Sequence, residues 1–298
     1  MLALLIVALL MTLVLEFDRS VRLEHRAAGN YRDATAAFYL AKAGLAEGVG
    51  LLARDATESV SDNLQEAWAL PVETRLGQGT VRISIVDEER FFPINSLVMI
   101  NTVRQDRVAQ FERLLRALQI DDRLADAVID WIDLNDDARP NGAESSYYGS
   151  LTPPYRAHNG PMDSLDELRL IRGVTDDVYR RLAPHLTTVS SDISTNLNTA
   201  DRLVLGALDP ELTPDLIDRV IAERPIELPG DISTILGQEL SSRLQTSGFG
   251  GGVGIRSNFF TIESEGTVNG VSKVLTMRLD RTSITTLDQA PIWVRTPS

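Results

Sequence analysis

The first fifteen positions, MLALLIVALLMTLVL, carry one polar residue, Thr12, and Glu16, Phe17 and Asp18 follow at once. At ~1.5 Å per residue such a helical run spans roughly 22 Å, short of the ~20 residues of a comfortable bilayer span. A cleaved signal peptide would place basic residues before the apolar core and small residues after it. This run has neither. No proline interrupts Val21 to Leu52, and Tyr31, Ala34, Phe38, Ala41, Leu45 and Val49 recur at i, i+3/i+4 spacing. The pattern predicts one helix of about fifty residues, greasy in its first half and amphipathic in its second. Two readings fit it. One is a single-pass anchor with a juxtamembrane helix. The other is a pilin-type assembly helix, which sits in the bilayer before polymerisation and in a filament core afterwards.

Further on the period changes. Gly79 to Val86 alternates apolar and polar residues, the mark of a half-buried strand. Asn258 to Val268 and Val271 to Arg281 are β-rich runs joined by Asn269-Gly270, a strong hairpin turn. Leu275, Met277 and Leu279 alternate with Thr276 and Arg278, which predicts one buried face. Between these strand regions the pattern is helical. Strands that are split in sequence but need partners imply one sheet interrupted by a helical domain. A lone hairpin is marginal in water, so the sheet must pack on the amphipathic half of the first helix. The expected architecture is α+β with a large all-α insertion. Its segments are a helix over 1–55, a discontinuous sheet domain over 56–97 and 255–298, and the insertion over 98–254.

The insertion repeats a helix, tight turn and second helix. Leu115 to Leu118 leads through Asp121 to Leu124, Val128 and Ile129. Leu168 to Ile171 leads through Gly173 and Thr175 to Val178 and Leu182. Leu203 to Leu208 leads through Thr213 to Leu216, Ile217 and Val220. Thr or Asp before the second helix is a capping signal. These units read either as helix-hairpin-helix DNA-binding elements or as a helical scaffold.

Charge weighs on that choice. With 29 Lys plus Arg against 42 Asp plus Glu, the chain carries a net charge of −13, which repels phosphate backbones. Asp176 and Asp177 also flank the best of the turns, and no nucleic-acid partner is expected. The absence of cysteine excludes disulfides, thiolate catalysis and Cys-ligated metal sites. Gly248 to Gly254 lacks the spacing of a nucleotide-binding loop and reads as a flexible connection back into the sheet.

The most chemically loaded stretch runs from Asp130 to Glu144. With Asp133 at position 1 of a twelve-residue calcium loop, Asn135, Asp137, Asn141 and Glu144 fall where calcium needs oxygen ligands, and Arg139 supplies a carbonyl. Ala138 replaces the usual turn glycine, Pro140 the usual apolar residue, and no clear helix follows Glu144. A literal EF-hand is therefore not expected. A cation-ordered loop and an acidic helix end with solvated side chains both remain. Oxygen donors without His or Cys disfavour zinc. Catalysis finds little support: His25, His158 and His185 are scattered, and neither HExxH nor GxSxG occurs. His158 reads as a hydrogen-bonded loop residue, and the chain is not expected to be an enzyme.

Asp130 to Val174, Ser194 to Asp201 and Val220 to Pro225 resemble the K-type minor pseudopilins of type II secretion systems, the general secretion pathway protein K family. The resemblance covers essentially the whole chain. It implies a type IV pilin-like fold, with a long helix on an antiparallel sheet, and calcium in the acidic loop. Asp133, Asn135, Asp137 and Glu144 are the expected ligands, with Asp136 beside them. Met1, Leu4, Leu5, Val7, Leu10, Leu13 and Leu15 would form the membrane and assembly helix. Pilins generally carry Glu at position 5, and the K-type resembles pilins that lack it, as Leu5 does here. The implied partners are the minor pseudopilins I and J, the major pseudopilin filament and the inner-membrane secretion platform. A prepilin peptidase would process and methylate the N-terminus, and Met1 is either the mature first residue or an initiator. The implied location is the bacterial inner membrane, single-pass, with the bulk of the chain in the periplasm. The implied role is priming and capping the pseudopilus. A minor pilin of a type IV pilus and a membrane-anchored DNA receptor are the competing readings.

Overall fold

The computed structural model describes residues 1–189, 193–245, 252–283 and 292–295. The chain starts with α1 (Leu2–Glu58), β1 (Val72–Leu76) and β2 (Gly79–Asp87). It continues through the short strands β3 (Phe92–Pro93), β4 (Val98–Met99) and β5 (Thr102–Val103), then α2 (Gln105–Ala117), α3 (Leu124–Ile132), α4 (Ser145–Tyr148) and α5 (Asp176–Leu182). After β6 (Leu186–Thr187) and β7 (Thr195–Asn196) come α6 (Arg202–Leu208), α7 (Pro214–Ala222), α8 (Pro229–Leu236) and α9 (Gln238–Gln245). The chain returns through β8 (Val253–Gly254) to β9 (Phe259–Val268), β10 (Val271–Asp280) and β11 (Ile292–Arg295).

The long helix forms without interruption over 57 residues. Its buried face is Ala37, Ala41, Gly44, Leu45, Gly48, Val49 and Leu52, with Asp33 at its upper end. Tyr31, placed on that face by periodicity, is exposed, because the sheet ends below it. Leu2 to Leu15 lie exposed along the first half. Among the described residues no helix is long and apolar enough to cross a membrane.

The sheet has the order β1-β2-β9-β10-β11 and every neighbouring pair is antiparallel. Strands far apart in sequence meet where β2 pairs with β9, Ile85 opposite Ile262. The Asn269-Gly270 turn takes positive φ at both residues, 50° and 80°, as a two-residue hairpin requires. Leu275, Met277, Phe260, Ile262, Ile83 and Val81 point to α1 and share one core with Trp68. Helix and sheet approach closely because the contact is built from small residues. A Cβ on Gly266 would overlap the Ala37 carbonyl oxygen, and one on Gly44 would overlap the Ser264 hydroxyl. Strand β1 escaped the sequence pattern because it is a polar edge strand, nearly all exposed, with no buried face to impose alternation.

The insertion holds two helical cores. One joins α2, α3 and α5 with Phe92, Ile94 and Leu97, ahead of the expected border at residue 98. The other gathers α6 to α9 with Val253 and Ile255. The glycine-rich connection falls partly outside the described residues; its end, Val253-Gly254, pairs in parallel with Thr195-Asn196. The repeat is uneven. Thr175 and Thr213 cap α5 and α7 through their hydroxyls. The first helix of the second unit is a 3₁₀ turn, Leu165–Leu170, and α3 has no side-chain cap.

Entry to and exit from the insertion are fastened at one buried point. Asp87, at the end of β2, accepts from Thr199 Oγ1 at 2.5 Å, Ser257 Oγ at 2.8 Å and Asn196 Nδ2 at 3.1 Å. Asp62 accepts from the Ser257 backbone N–H at 2.6 Å and from Arg281 at 2.7 Å. The Ser194 to Asp201 stretch thus acts as a buckle: Asn198 exchanges hydrogen bonds with Ile226, and Asp201 caps α6.

Candidate metal centre

Helix α3 is apolar on nearly all sides and sits in the middle of a core, so every residue from Ala127 to Ile132 is buried, Asp130 included. Asp130 and Asp133 are three positions apart and therefore lie on one face. The chain then loops out and returns Glu144 immediately before α4, a four-residue helix where the sequence pattern predicts none. These three carboxylates each offer an oxygen within 4.8 Å of the others. They are 0%, 4% and 1% exposed.

Their partners differ in kind. Asp130 accepts from the Arg139 backbone N–H at 3.1 Å and lies 3.7 Å from the Arg139 guanidinium. Asp133 accepts from Asn135, at 3.2 Å from the backbone and 2.7 Å from the side-chain amide. Both oxygens of Glu144 are buried with no hydrogen-bond partner among the described residues. Gly142 completes the cradle, since a Cβ there would overlap the Asp130 carboxylate. Burial, reinforced by Asp130 and Asp133, pushes the Glu144 carboxyl up to about 8. Burial also pushes Asp130 up to about 6, against the pull of the Arg139 N–H, and raises Asp133.

A second acidic group shows what a self-sufficient cluster looks like. Asp55, Asp62 and Glu66 also converge. There Arg281 pairs with Asp55 at 3.1 Å and with Asp62 at 2.7 Å. Glu66 accepts from Ser59 at 2.7 Å, from the Asn63 backbone at 2.9 Å and from Trp68 at 2.8 Å. That group is compensated by Arg281 and hydrogen-bond donors from within the protein, while burial and the Glu66 charge push Asp55 up to about 7. The Asp130–Asp133–Glu144 group is not, because leaving two carboxylate oxygens dry and unpaired costs several kcal/mol, roughly 2–7 for a neutral polar group and more for a charge. An all-oxygen donor set of this kind fits a hard divalent cation such as calcium.

Of the ligands expected from sequence, Asp133 and Glu144 enter this cluster. Asn135 borders it, its amide turned to Asp133 and its Oδ1 accepting from the Asp137 N–H at 2.7 Å. Asp136 instead meets Asn159 Nδ2 at 3.1 Å, and Asp137 is exposed. Asn141 turns away to Asp126 at 2.8 Å. The twelve-residue register is thus not followed, because the loop closes early: Arg139 folds back on Asp130 and Asx-type turns consume Asn135. Asp130 was not among the expected ligands. The signal for it is a carboxylate one helical turn before Asp133, on a helix whose other polar residue is Asp126. His158 is held by Glu167 at 2.7 Å, which also accepts from Trp131 at 3.1 Å, so it braces the loop beside the cluster. Met1 caps the start of α1, and Leu4, Leu5, Val7, Leu10, Leu13 and Leu15 lie in its first turns, all exposed and outside the sheet's core.

Residues 91–191 match the family described as type II secretion system protein K. The chain is 36% identical over 172 residues to the type II secretion system protein K of Pseudomonas aeruginosa, 54% of this chain and 51% of that relative. It thus spans about half the length of that relative. It is 31% identical over 284 residues to the protein K of Aeromonas hydrophila, 83% of this chain and 84% of that one. In fold it resembles a chain of the GspK–GspI–GspJ complex from the type 2 secretion system of enterotoxigenic Escherichia coli. The TM-score is 0.73 over 92% of this chain and 99% of that chain, at 21% identity.

Proposed function

The chain belongs to the type II secretion system protein K family, and from that premise we propose that it is a minor pseudopilin that forms the pseudopilus tip with the minor pseudopilins I and J. The observation that carries this reading is the architecture itself. A single continuous helix has one half packed on the sheet and the other half, Leu2 to Leu15, presenting apolar side chains to whatever lies beside it. Before assembly that run holds the subunit in the bacterial inner membrane, single-pass, with the sheet and the insertion in the periplasm. During assembly the same side chains pack against the helices of I and J and then on the major pseudopilin filament, at the secretion platform. A prepilin peptidase processes and methylates the N-terminus. The insertion, fastened across β2 and β9, adds bulk that discourages a further subunit from stacking above it.

The work is association rather than bond-making, and energy enters through a separate motor. The acidic cluster supports the insertion. Asp130, Asp133 and Glu144 would hold calcium, which would supply the positive charge that Glu144 lacks and tie α3 to α4.

Because the chain has no cysteine, the reading can be tested with single-cysteine variants. Leu5→Cys or Leu10→Cys in the full chain should form disulfides with cysteines placed in the helices of I and J in intact cells. Deletion of the gene should abolish export of the system's substrates. Normal export after deletion, together with no cross-link at either position, would overturn the proposal.

A further inference from the structure

A cavity of about 420 Å³ lies between the first two helix–turn–helix units, beside the acidic loop. The α2–α3 connection forms one wall, the Arg172-Gly173 turn faces it, and Pro140 and Asn141 close the rim. Its charge runs against that of the molecule. Three guanidinium groups, Arg123, Arg172 and Arg181, line it against the single carboxylate of Asp121, a balance of three minus one, in a chain of net charge −13.

The three cations are not equally satisfied. Arg123 is engaged by Asp121 at 3.0 Å. Arg181 reaches Asp177 at 2.6 Å and the Leu118 carbonyl at 2.9 Å, yet its Nε is buried without a partner among the described residues. Arg172 donates to the Gly142 carbonyl at 3.0 Å and lies 5.0 Å from the Tyr147 ring centroid, contacts that bring no negative charge. Beneath the cations the lining is aliphatic, from Ile120, Leu124, Ala127 and Val178. An anion alone would leave that floor wet. An aliphatic group alone would bury guanidinium groups against it.

We propose that this cavity binds a carboxylate borne on a short aliphatic group, the chemistry of a polypeptide C-terminus that ends in an aliphatic residue. Arg172 and Arg181 grip the carboxylate, and the aliphatic group rests on Leu124 and Val178. A planar carboxylate suits the guanidinium fork. A dianionic phosphate fits less well, because Asp121 shares the cavity and Asp176 and Asp177 open the neighbouring α5. This inference stands apart from the secretory reading.

The test uses the full chain in detergent micelles with labelled Ile, Leu and Val methyl groups. N-acetyl-leucine, its neutral amide and inorganic phosphate are titrated separately. N-acetyl-leucine should shift the Ile120, Leu124 and Val178 methyl signals saturably, with the amide at least about tenfold weaker and phosphate leaving these signals in place. Arg172→Gln should weaken the carboxylate by about tenfold and leave the amide unchanged. Since Arg172 also holds the acidic loop, Arg123→Gln on the exposed rim is the second variant, expected to weaken binding about threefold with an unaltered methyl spectrum. Equal binding of acid and amide, tighter binding of phosphate, or no saturation by about 20 mM would overturn the assignment.

Discussion

Thr199 donates its hydroxyl proton to Asp87 at 2.5 Å, joining residues 112 positions apart in a buried site. Asp87 ends the second strand of the sheet, and Thr199 lies deep in the insertion. The bond is one of three on the same carboxylate oxygen, Oδ2, while the Glu89 N–H donates to Oδ1 at 2.8 Å, so two layers of the molecule share one acceptor.

Removing that acceptor should be costly. Asp87→Ala takes the acceptor from the Thr199 and Ser257 hydroxyls and the Glu89 N–H, while Asn196 keeps the Asp62 carbonyl and Ser257, and should destabilise the chain by about 3–5 kcal/mol. Thr199→Val removes one donor and should cost about 1–2 kcal/mol. Urea unfolding of both variants measures the difference.

The helix–sheet contact leaves no space at Gly266. Adding a methyl group there meets the backbone of α1, so Gly266→Ala should cost about 1–3 kcal/mol. Gly50, with nothing within 4 Å of its added Cβ, is the control. Gly50→Ala should stabilise by about 0.5–1 kcal/mol through helix propensity alone. Denaturation midpoints of the two variants should move in opposite directions.

Calcium affinity should depend on the three buried carboxylates and not on the loop's exposed ones. Glu144→Gln and Asp130→Asn should each weaken calcium binding by about a hundredfold or more, whereas Asp137→Asn changes it by less than about threefold. Gly142→Ala should behave like Asp130→Asn, because it displaces that carboxylate. Calorimetric titration after chelation separates the two classes, and an Asp137→Asn loss as large as that of Glu144→Gln would move the site back to the loop.

The pH dependence carries a definite sign. Burial lifts Glu144 to about 8 and Asp130 to about 6, above their ordinary 4.5 and 3.8. Burial lifts Asp87 to about 6 and Glu89 to about 8 in the same direction. The folded chain therefore binds more protons than the unfolded chain between about pH 4 and pH 8, and its stability falls as pH rises through that window. Chelated protein should melt higher at about pH 5 than at about pH 8. Bound calcium would compete with those protons, so the rise in Tm on adding it should be larger at about pH 8. Thermal melts with chelator and with calcium at both pH values check it.

Much of this architecture was written in local pattern. A run without proline and with a 3.6-residue period specified α1. Alternation specified β2 and the terminal hairpin, and Asn269-Gly270 specified the turn between β9 and β10. Those signals are readable because each depends only on neighbours in the chain. The resemblance of Asp130 to Val174 and of Ser194 to Asp201 was likewise a property of the order of residues, and it led to the family. Even the acidic character of the loop was plain from charge alone.

The rest needed residues distant in sequence to meet. Strand β1 has no buried face, so only its pairing with β2 makes it a strand. Phe92, Ile94 and Leu97 join the helical core because the chain bends there, which no periodicity foretells. The acidic cluster shows the division best. Sequence assembled Asp133, Asn135, Asp136, Asp137 and Glu144 by spacing, as if the loop would wrap a cation by itself. Tertiary packing buried α3 and with it Asp130, folded Arg139 back to close the loop early, and left Glu144 dry with neither oxygen paired. Burial decides which carboxylates need a cation, and burial is set by what packs around a residue, not by its place in the chain.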